Sequence, residues 1–276
     1  SAPLDTKKSS VAAMPHLLAM TATPIPRSLA LTVYGELDVS VLDEQPRGRR
    51  PILTKIISPP SREAAYTAID QQIAQGRQAY VVCSLITDSD SNDRKSVEAE
   101  YKRLKNSIFG HRRIAMLHGK MTASEKDQIM QAFKDQRYDI LVSTTVIEVG
   151  VDVPNATIMM IEDADQFGLA QLHQLRGRVG RGSSPSLCVA VTGAEVGSTA
   201  FHRLKAFAST TDGFALAEAD LELRSEGDVL GASQSGRTSG LDLLRVTRDA
   251  RLIATARRQA EQIVATDPQL REHRAL

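Results

Sequence analysis

Residues 113–143 read RIAMLHGKMTASEKDQIMQAFKDQRYDILVS. Two short apolar runs, 113–117 and 139–143, flank a stretch with helical spacing at 123–135. Thr122 and Glu125 (T-x-x-E) have the form of a capping box, in which a hydroxyl and a carboxylate satisfy the free amides that open that helix. Strands separated by a helix of this length pair in parallel, with a right-handed crossover. Working outward, the alternation repeats. Strands are expected at 52–58, 79–86, 157–162 and 186–192, and helices at 62–75, 97–108 and 169–179. The strand segments are short and rich in Val, Ile or Leu, as strands buried on both faces must be. The expectation is an α/β fold, a doubly wound parallel sheet.

Two flanks break the pattern. Residues 17–21 (LLAMT) read as one more buried strand, followed by an apolar helix near 28–34 and a strand near 39–42. That piece is too short for a domain and reads as the tail of another sheet, joined by linker chemistry (EQPRGRRP, 44–51). After residue 193 the alternation stops, and 198–209, 212–223 and 241–265 are helical in pattern. A Gly- and Ser-rich loop, 226–240, lies between the last two. The final helix carries an apolar stripe and an arginine face, for which solvation is the plain reading.

Composition excludes several function classes. With 42% hydrophobic and 24% charged residues the 276-residue chain is globular, not disordered. No apolar run approaches the ~18–20 residues that cross a bilayer, and the N-terminus shows no signal-peptide pattern. Cys83 and Cys188 stand alone in apolar runs, as small core residues of a reduced, cytoplasmic protein do. A zinc site would need about four Cys or His ligands at close spacing, a pattern the sequence lacks. Net charge is +1 and aromatics are 4%, so neither bulk electrostatics nor a stacking platform announces a nucleic-acid binder; phosphate contacts must come from local clusters.

The most informative cluster is QLHQLRGRVGRG, 171–182. If it is helical throughout, Gln174, Arg178 and Arg181 stack on one face, where guanidinium forks suit polyphosphate oxygens. Gly177 and Gly180 cost roughly 1 kcal/mol each inside a helix, a cost accepted where a backbone or ligand comes close. The plain alternative is a solvated basic helix. Upstream, LVSTTVIEVGVDVPNA (141–156) runs a buried strand into a loop with Thr144 and Thr145, which could bind a phosphate, and Asp152, which could accept from a sugar hydroxyl. In open α/β sheets ligands gather at the carboxyl ends of strands, which suits this loop, though ordinary turn chemistry also explains it. His118 after the 114–117 run reads as structural. MTATPIPR (20–27) presents Thr21 and Thr23 on a turn that Pro24 and Pro26 stiffen.

TATP, then strand–T-T–G-x-D, then Q-x-x-x-R-x-x-R, in this order, resembles motifs III, V and VI of superfamily 2 helicases, with LHGKM (117–121) like motif IVa. The stretches MTATPIPRSLALTVYGELDVSVLDEQPRGRRPI, TTVIEVGVDVPNATIMMIEDADQFGLAQLHQLRGRVGRG and DGFALAEADLELR…GDVLGASQSG resemble the RecG family of branched-DNA translocases. The Mfd family of transcription-repair translocases shares the pattern less closely, and a non-enzymatic α/β interaction module is the third reading. The RecG resemblance implies a RecA-like second helicase lobe at 46–192, preceded by a remnant of the first lobe at 1–45 and followed by a helical hairpin, loop and C-terminal helices at 193–276. It implies that Arg178 and Arg181 act as arginine fingers on ATP, beside Gln174, with Gly150 and Asp152 near the nucleotide. Thr144 and Thr145 fall in motif V, where the resemblance implies DNA contact. Thr21, Thr23, Arg203, Arg224 and Gln234 would couple hydrolysis to duplex movement. The implied partners are branched double-stranded DNA, an N-terminal wedge and the first lobe of the same parent chain, with no membrane. The chain has Ser225-Glu226 where the family usually has Gly-Pro, and Ser233 where a basic residue often precedes the glutamine. It contains no G-x-x-x-x-G-K-[ST] phosphate loop and no D-E-x-H segment for Mg2+, so these 276 residues alone are expected neither to hydrolyse ATP nor to unwind DNA. The finger reading further expects Arg178 and Arg181 not to turn inward to carboxylates of their own lobe.

Overall fold

The structure, a computed structural model, describes residues 18, 20, 40, 50–84, 90–145, 152–223 and 250–271. Among these, six strands form one sheet: β1 (Ile52–Ile57), β2 (Gln78–Val82), β3 (Ile114–Leu117), β4 (Ile140–Ser143), β5 (Ala156–Ile161) and β6 (Ser186–Val191). Their order is β1-β6-β5-β2-β4-β3, and every neighbouring pair is parallel. Each of the six strands expected between residues 52 and 192 is present. The central strands β2, β4 and β5 are buried along their whole length, which is why they read as unbroken apolar runs and not as an alternation. The edge strand β1 alternates, with Leu53 57% exposed.

Helices cover both faces: α1 (Arg62–Ala74), α2 (Asp90–Arg103), α3 (Ala123–Lys134), α4 (Leu169–Arg176), α5 (Thr199–Ser209) and α6 (Gly213–Leu223). A further helix, α7, spans Ala250–Thr266. One core packs Ala79, Val81, Val142, Ile158 and Met160 against Ile69 and Ile73 of α1 and Val97 of α2. The opposite core packs Tyr80, Leu141, Met159 and Cys188 against Phe133 of α3 and Leu172 and Leu175 of α4. Leu204 and Phe207 of α5 and Leu216 of α6 join this second core, so the first two helices after the sheet share its interior. Thr122 caps α3 as the sequence indicates. Its hydroxyl accepts from the Glu125 amide at 3.3 Å, and the Glu125 carboxylate accepts from the Thr122 amide at 2.8 Å.

Four expectations are corrected. Helix α2 starts at Asp90, seven residues before the expected start at Val97, because its first two turns are polar and leave no apolar period to read. Leu18 and Met20 are 79% and 85% exposed and lie in no strand, contrary to a buried strand at 17–21; neither is covered by the sheet or its helices. Ser40 is likewise exposed and outside any strand. The rest of the segments at 17–49, 226–240 and 241–249 lies outside the described residues. Helix α4 ends at Arg176, not at 179, with consequences for the site below.

Candidate functional site

The parallel sheet has two distinct edges. At the carboxyl edge β3 is followed by His118, β4 ends in Ser143 and is followed by Thr144, and β5 is followed by Glu162. At the amino edge lie Arg113, Asp139, Asn155 and the approach to Ser186. A six-residue strand spans roughly 20 Å, so groups at the two edges cannot touch.

The arginine cluster lies at the amino edge. Gly177 bonds back to the His173 carbonyl, but Arg178 and Val179 bond to Leu175 and Arg176, three residues back, so the helix tightens and stops. Gly180 then takes a left-handed φ of 72°, and a Cβ there would lie 2.8 Å from Ile52 Cγ1. A Cβ on Gly182 would lie 2.8 Å from the Pro154 carbonyl oxygen. Gly180 and Gly182 therefore pack this loop against the starts of β1 and β5. Gln174, Arg178 and Arg181 do not share a helical face, since only Gln174 is in α4; the loop after Gly177 carries the other two. The close approach expected at Gly180 is found, whereas Gly177 keeps right-handed geometry.

Arg181 donates from Nε to the Gly177 carbonyl at 2.9 Å and from Nη1 to Asp152 Oδ1. The two predicted nucleotide-side residues are thus together, and they bind each other, against the expectation that Arg181 would have no carboxylate of its own lobe. The pair stands at the rim, its side chains 31% and 58% exposed, where opposite charges in reach associate but gain at most about 1 kcal/mol. Half-buried Arg178 lies on the same side. Burial pushes the Tyr80 phenol up, and the Arg178 and Arg181 guanidiniums pull it back down, against Asp152. Asp152 is consequently not at the carboxyl edge where the strand rule put its loop: the loop leaves that edge at Thr144 and Asp152 lies four residues before β5 at the other. Gly150 lies outside the described residues, as do Thr21, Thr23, Arg224 and Gln234.

At the carboxyl edge Thr144 is buried and Thr145 half-buried. The side-chain oxygens of Ser143 and Thr144, and Nδ1 of the neighbouring His118, have no hydrogen-bond partner among the described residues. At the same edge, beyond β5, is a network the sequence reading missed. Buried Glu162 accepts from Arg62 Nη2 at 2.6 Å and lies 3.7 Å from Arg103 Nη2, and Arg103 also bonds Glu100 and the Tyr66 hydroxyl. Burial pushes the Glu162 carboxyl up although Arg62 pulls it down. The signal was a lone glutamate ending the buried run ATIMMI. Arg203, on α5, donates to the Asp165 carbonyl at 3.0 Å. Among the described residues no group of three or more His, Cys, Asp or Glu is placed to hold a metal ion, and no helix is long and apolar enough to cross a membrane.

A RecA-type lobe with a glutamine–arginine helix end has counterparts among known proteins. Residues 62–183 match the helicase conserved C-terminal domain, and residues 210–275 match the family described as ATP-dependent DNA helicase RecG, domain 3, C-terminal. The chain belongs to the RecG helicase family. It is 50% identical over 262 residues to the ATP-dependent DNA helicase RecG of Mycobacterium leprae, covering 91% of this chain and 35% of that protein. To the RecG of Synechocystis sp. it is 48% identical over 259 residues, covering 94% of this chain and 31% of that one. A solved structure of RecG bound to a three-way DNA junction matches with a TM-score of 0.66 at 44% identity, over 84% of this chain and 30% of that one. The chain thus spans about a third of the length of the RecG proteins it matches, and its sheet is the RecA-like lobe of this family.

Proposed function

We propose that this chain supplies the second motor lobe of an ATP-dependent translocase that moves along duplex DNA and remodels branched DNA, such as stalled forks and Holliday junctions, in bacterial cytoplasm. Residues 46–192 would form the lobe, 193–276 a coupling region, and 1–45 the end of the first lobe with its motif III threonines, Thr21 and Thr23. The single observation that carries the reading is the grouping of Arg178, Arg181 and Asp152 at one rim of the lobe, one turn beyond Gln174. Two guanidiniums that donate and a solvent-exposed carboxylate that accepts fit the terminal phosphates and the ribose hydroxyls of ATP. When bound, ATP would supply the phosphoryl bond whose hydrolysis drives movement. Arg178 and Arg181 would neutralise charge that grows on its terminal phosphate, with Arg181 exchanging Asp152 for phosphate and Asp152 turning to the sugar. Gly150 would contact the same nucleotide. Among the described residues no group of three or more His, Cys, Asp or Glu fits Mg2+, so its ligands and the phosphate-loop lysine would come from the first lobe.

Thr144 and Thr145, at the far edge, would hold a DNA phosphate, so nucleotide and DNA would meet opposite ends of one rigid sheet. Contacts of this kind imply weak, salt-sensitive binding with little sequence preference. Arg203, Arg224 and Gln234 would transmit lobe movement to the duplex, and a wedge domain elsewhere in the parent chain would select the branch point. The test restores the first lobe ahead of these residues and compares wild type with Arg181→Ala. Loss of DNA-stimulated hydrolysis with retained folding supports the reading. Unchanged turnover supports an α/β interaction module in which the arginines bind a partner's acidic surface.

A further inference from the structure

The largest fully buried side chain in the described protein is an arginine that none of the motif positions includes: Arg176, 2% exposed at the end of α4. Its Nη1 donates to the Phe207 carbonyl at 2.6 Å and to Thr54 Oγ1 at 3.3 Å, and its Nη2 lies 3.2 Å from His173 Nδ1. The guanidinium lies 4.4 Å from the centre of the Phe207 ring, within cation–π range. Among the described residues it forms no ion pair. A guanidinium withdrawn from water without a counter-charge is costly, and an apolar side chain of the same volume would fill the space without that cost. Burial accordingly lowers its pKa.

The contacts say what the residue does. Phe207 is in the last turn of α5, where carbonyls lack partners within the helix, so Arg176 caps α5 from the side. Thr54 is in β1, and the same guanidinium nitrogen reaches its hydroxyl. Arg176 thereby ties three elements together one residue before the Gly177 turn. That turn leads directly to Arg178 and Arg181, and the Val179 amide bonds to the Arg176 carbonyl. At the other end of α4, Arg203 of α5 grips the Asp165 carbonyl. Helix α5 thus holds α4 at its approach and at its exit.

We infer that Arg176 is a positioning residue: by locking the exit of α4 to α5 and β1 it aims the loop bearing Arg178 and Arg181, so that a displacement of α5 redirects those arginines. The inference rests on the reading of Arg178 and Arg181 as phosphate-facing groups. A misplacement of about 1 Å at such groups costs up to about a hundredfold in rate.

The experiment measures DNA-stimulated ATP hydrolysis in the full-length protein bearing this chain, with Arg176→Met, Arg176→Lys, Arg178→Ala and the Arg176→Met/Arg178→Ala double variant. Arg176→Met keeps the volume, and its thermal unfolding transition is expected to stay at or above wild type. Its kcat is expected to fall about tenfold to a hundredfold with KM for ATP little changed, and Arg176→Lys, which retains a donor for the Phe207 carbonyl, recovers part of the rate. The double variant is expected to be no slower than Arg178→Ala alone, because Arg176 works through Arg178. A folded Arg176→Met enzyme with wild-type kcat overturns the inference, as do multiplicative effects in the double variant. Failure of both Arg176 variants to fold also overturns it, by making Arg176 a folding residue. If instead Arg178→Ala hydrolyses ATP like wild type, it is the underlying reading of the rim that fails.

Discussion

Arginines differ here by what each one touches. Arg176 is sealed against a carbonyl and a ring, Arg181 shares an exposed carboxylate, and Arg113 is fixed to Asp139 at 2.5 Å. The sequence showed Arg178 and Arg181 through their spacing from Gln174, but it hid Arg176, because charge alone suggests solvent. A usable signal existed: Arg176 is four residues after Leu172 and three before Val179, on the stripe that is buried. Gly180 was legible as a costly residue, and the structure supplies the reason. Gly180→Ala puts a Cβ into Ile52 at a left-handed φ, and a loss of about 1–3 kcal/mol is expected, read as a lower urea midpoint with unchanged m-value. Asp139 gives a pH-dependent counterpart. Burial pushes its carboxyl up, yet the Arg113 side chain and amide hold it below the usual carboxylate range. A depressed acid stabilises the fold fully above its unfolded pKa, about 3.9, and that contribution fades as pH falls through the folded value. Asp139→Asn should therefore destabilise at pH 7 and converge on wild type as pH falls through the depressed folded value, measured by urea midpoints from neutral to acid pH.

Elements were legible wherever the chain is covered on both sides. All six strands were readable because a parallel sheet under two helical layers demands unbroken Val, Ile and Leu runs. Two kinds of boundary were not readable. The first turns of α2 are polar and carry no period, and α4 stops at a glycine turn that the i, i+4, i+7 count runs straight through. Capping was the exception, since T-x-x-E is a local signature with its own hydrogen bonds. Thr122→Ala removes the acceptor for the Glu125 amide and is expected to cost about 1 kcal/mol, with Thr122→Ser recovering most of it. The check is thermal unfolding of the three proteins side by side. An unchanged midpoint for Thr122→Ala would mean that water replaces the cap at no cost.

At the scale of the whole molecule, the parallel topology separates what the sequence had gathered into one site. The strand rule put the 144–152 loop at the carboxyl edge, but its two described ends lie at opposite edges. Thr144 stays at one edge while Asp152 joins Arg181 at the other, a consequence of strand direction that no local pattern contains. On this account the lobe presents an arginine rim to a nucleotide whose remaining contacts belong to another lobe, and a polar edge to DNA. The rim can then work only in concert with that other lobe. Steady-state ATP turnover tests this most directly, measured on the 276-residue chain alone and on the full-length protein, each with and without Arg178→Ala. The account predicts no turnover by the chain alone, and DNA-stimulated turnover by the full-length protein that Arg178→Ala lowers by at least about a hundredfold. Turnover by the isolated chain that disappears with Arg178→Ala would contradict it.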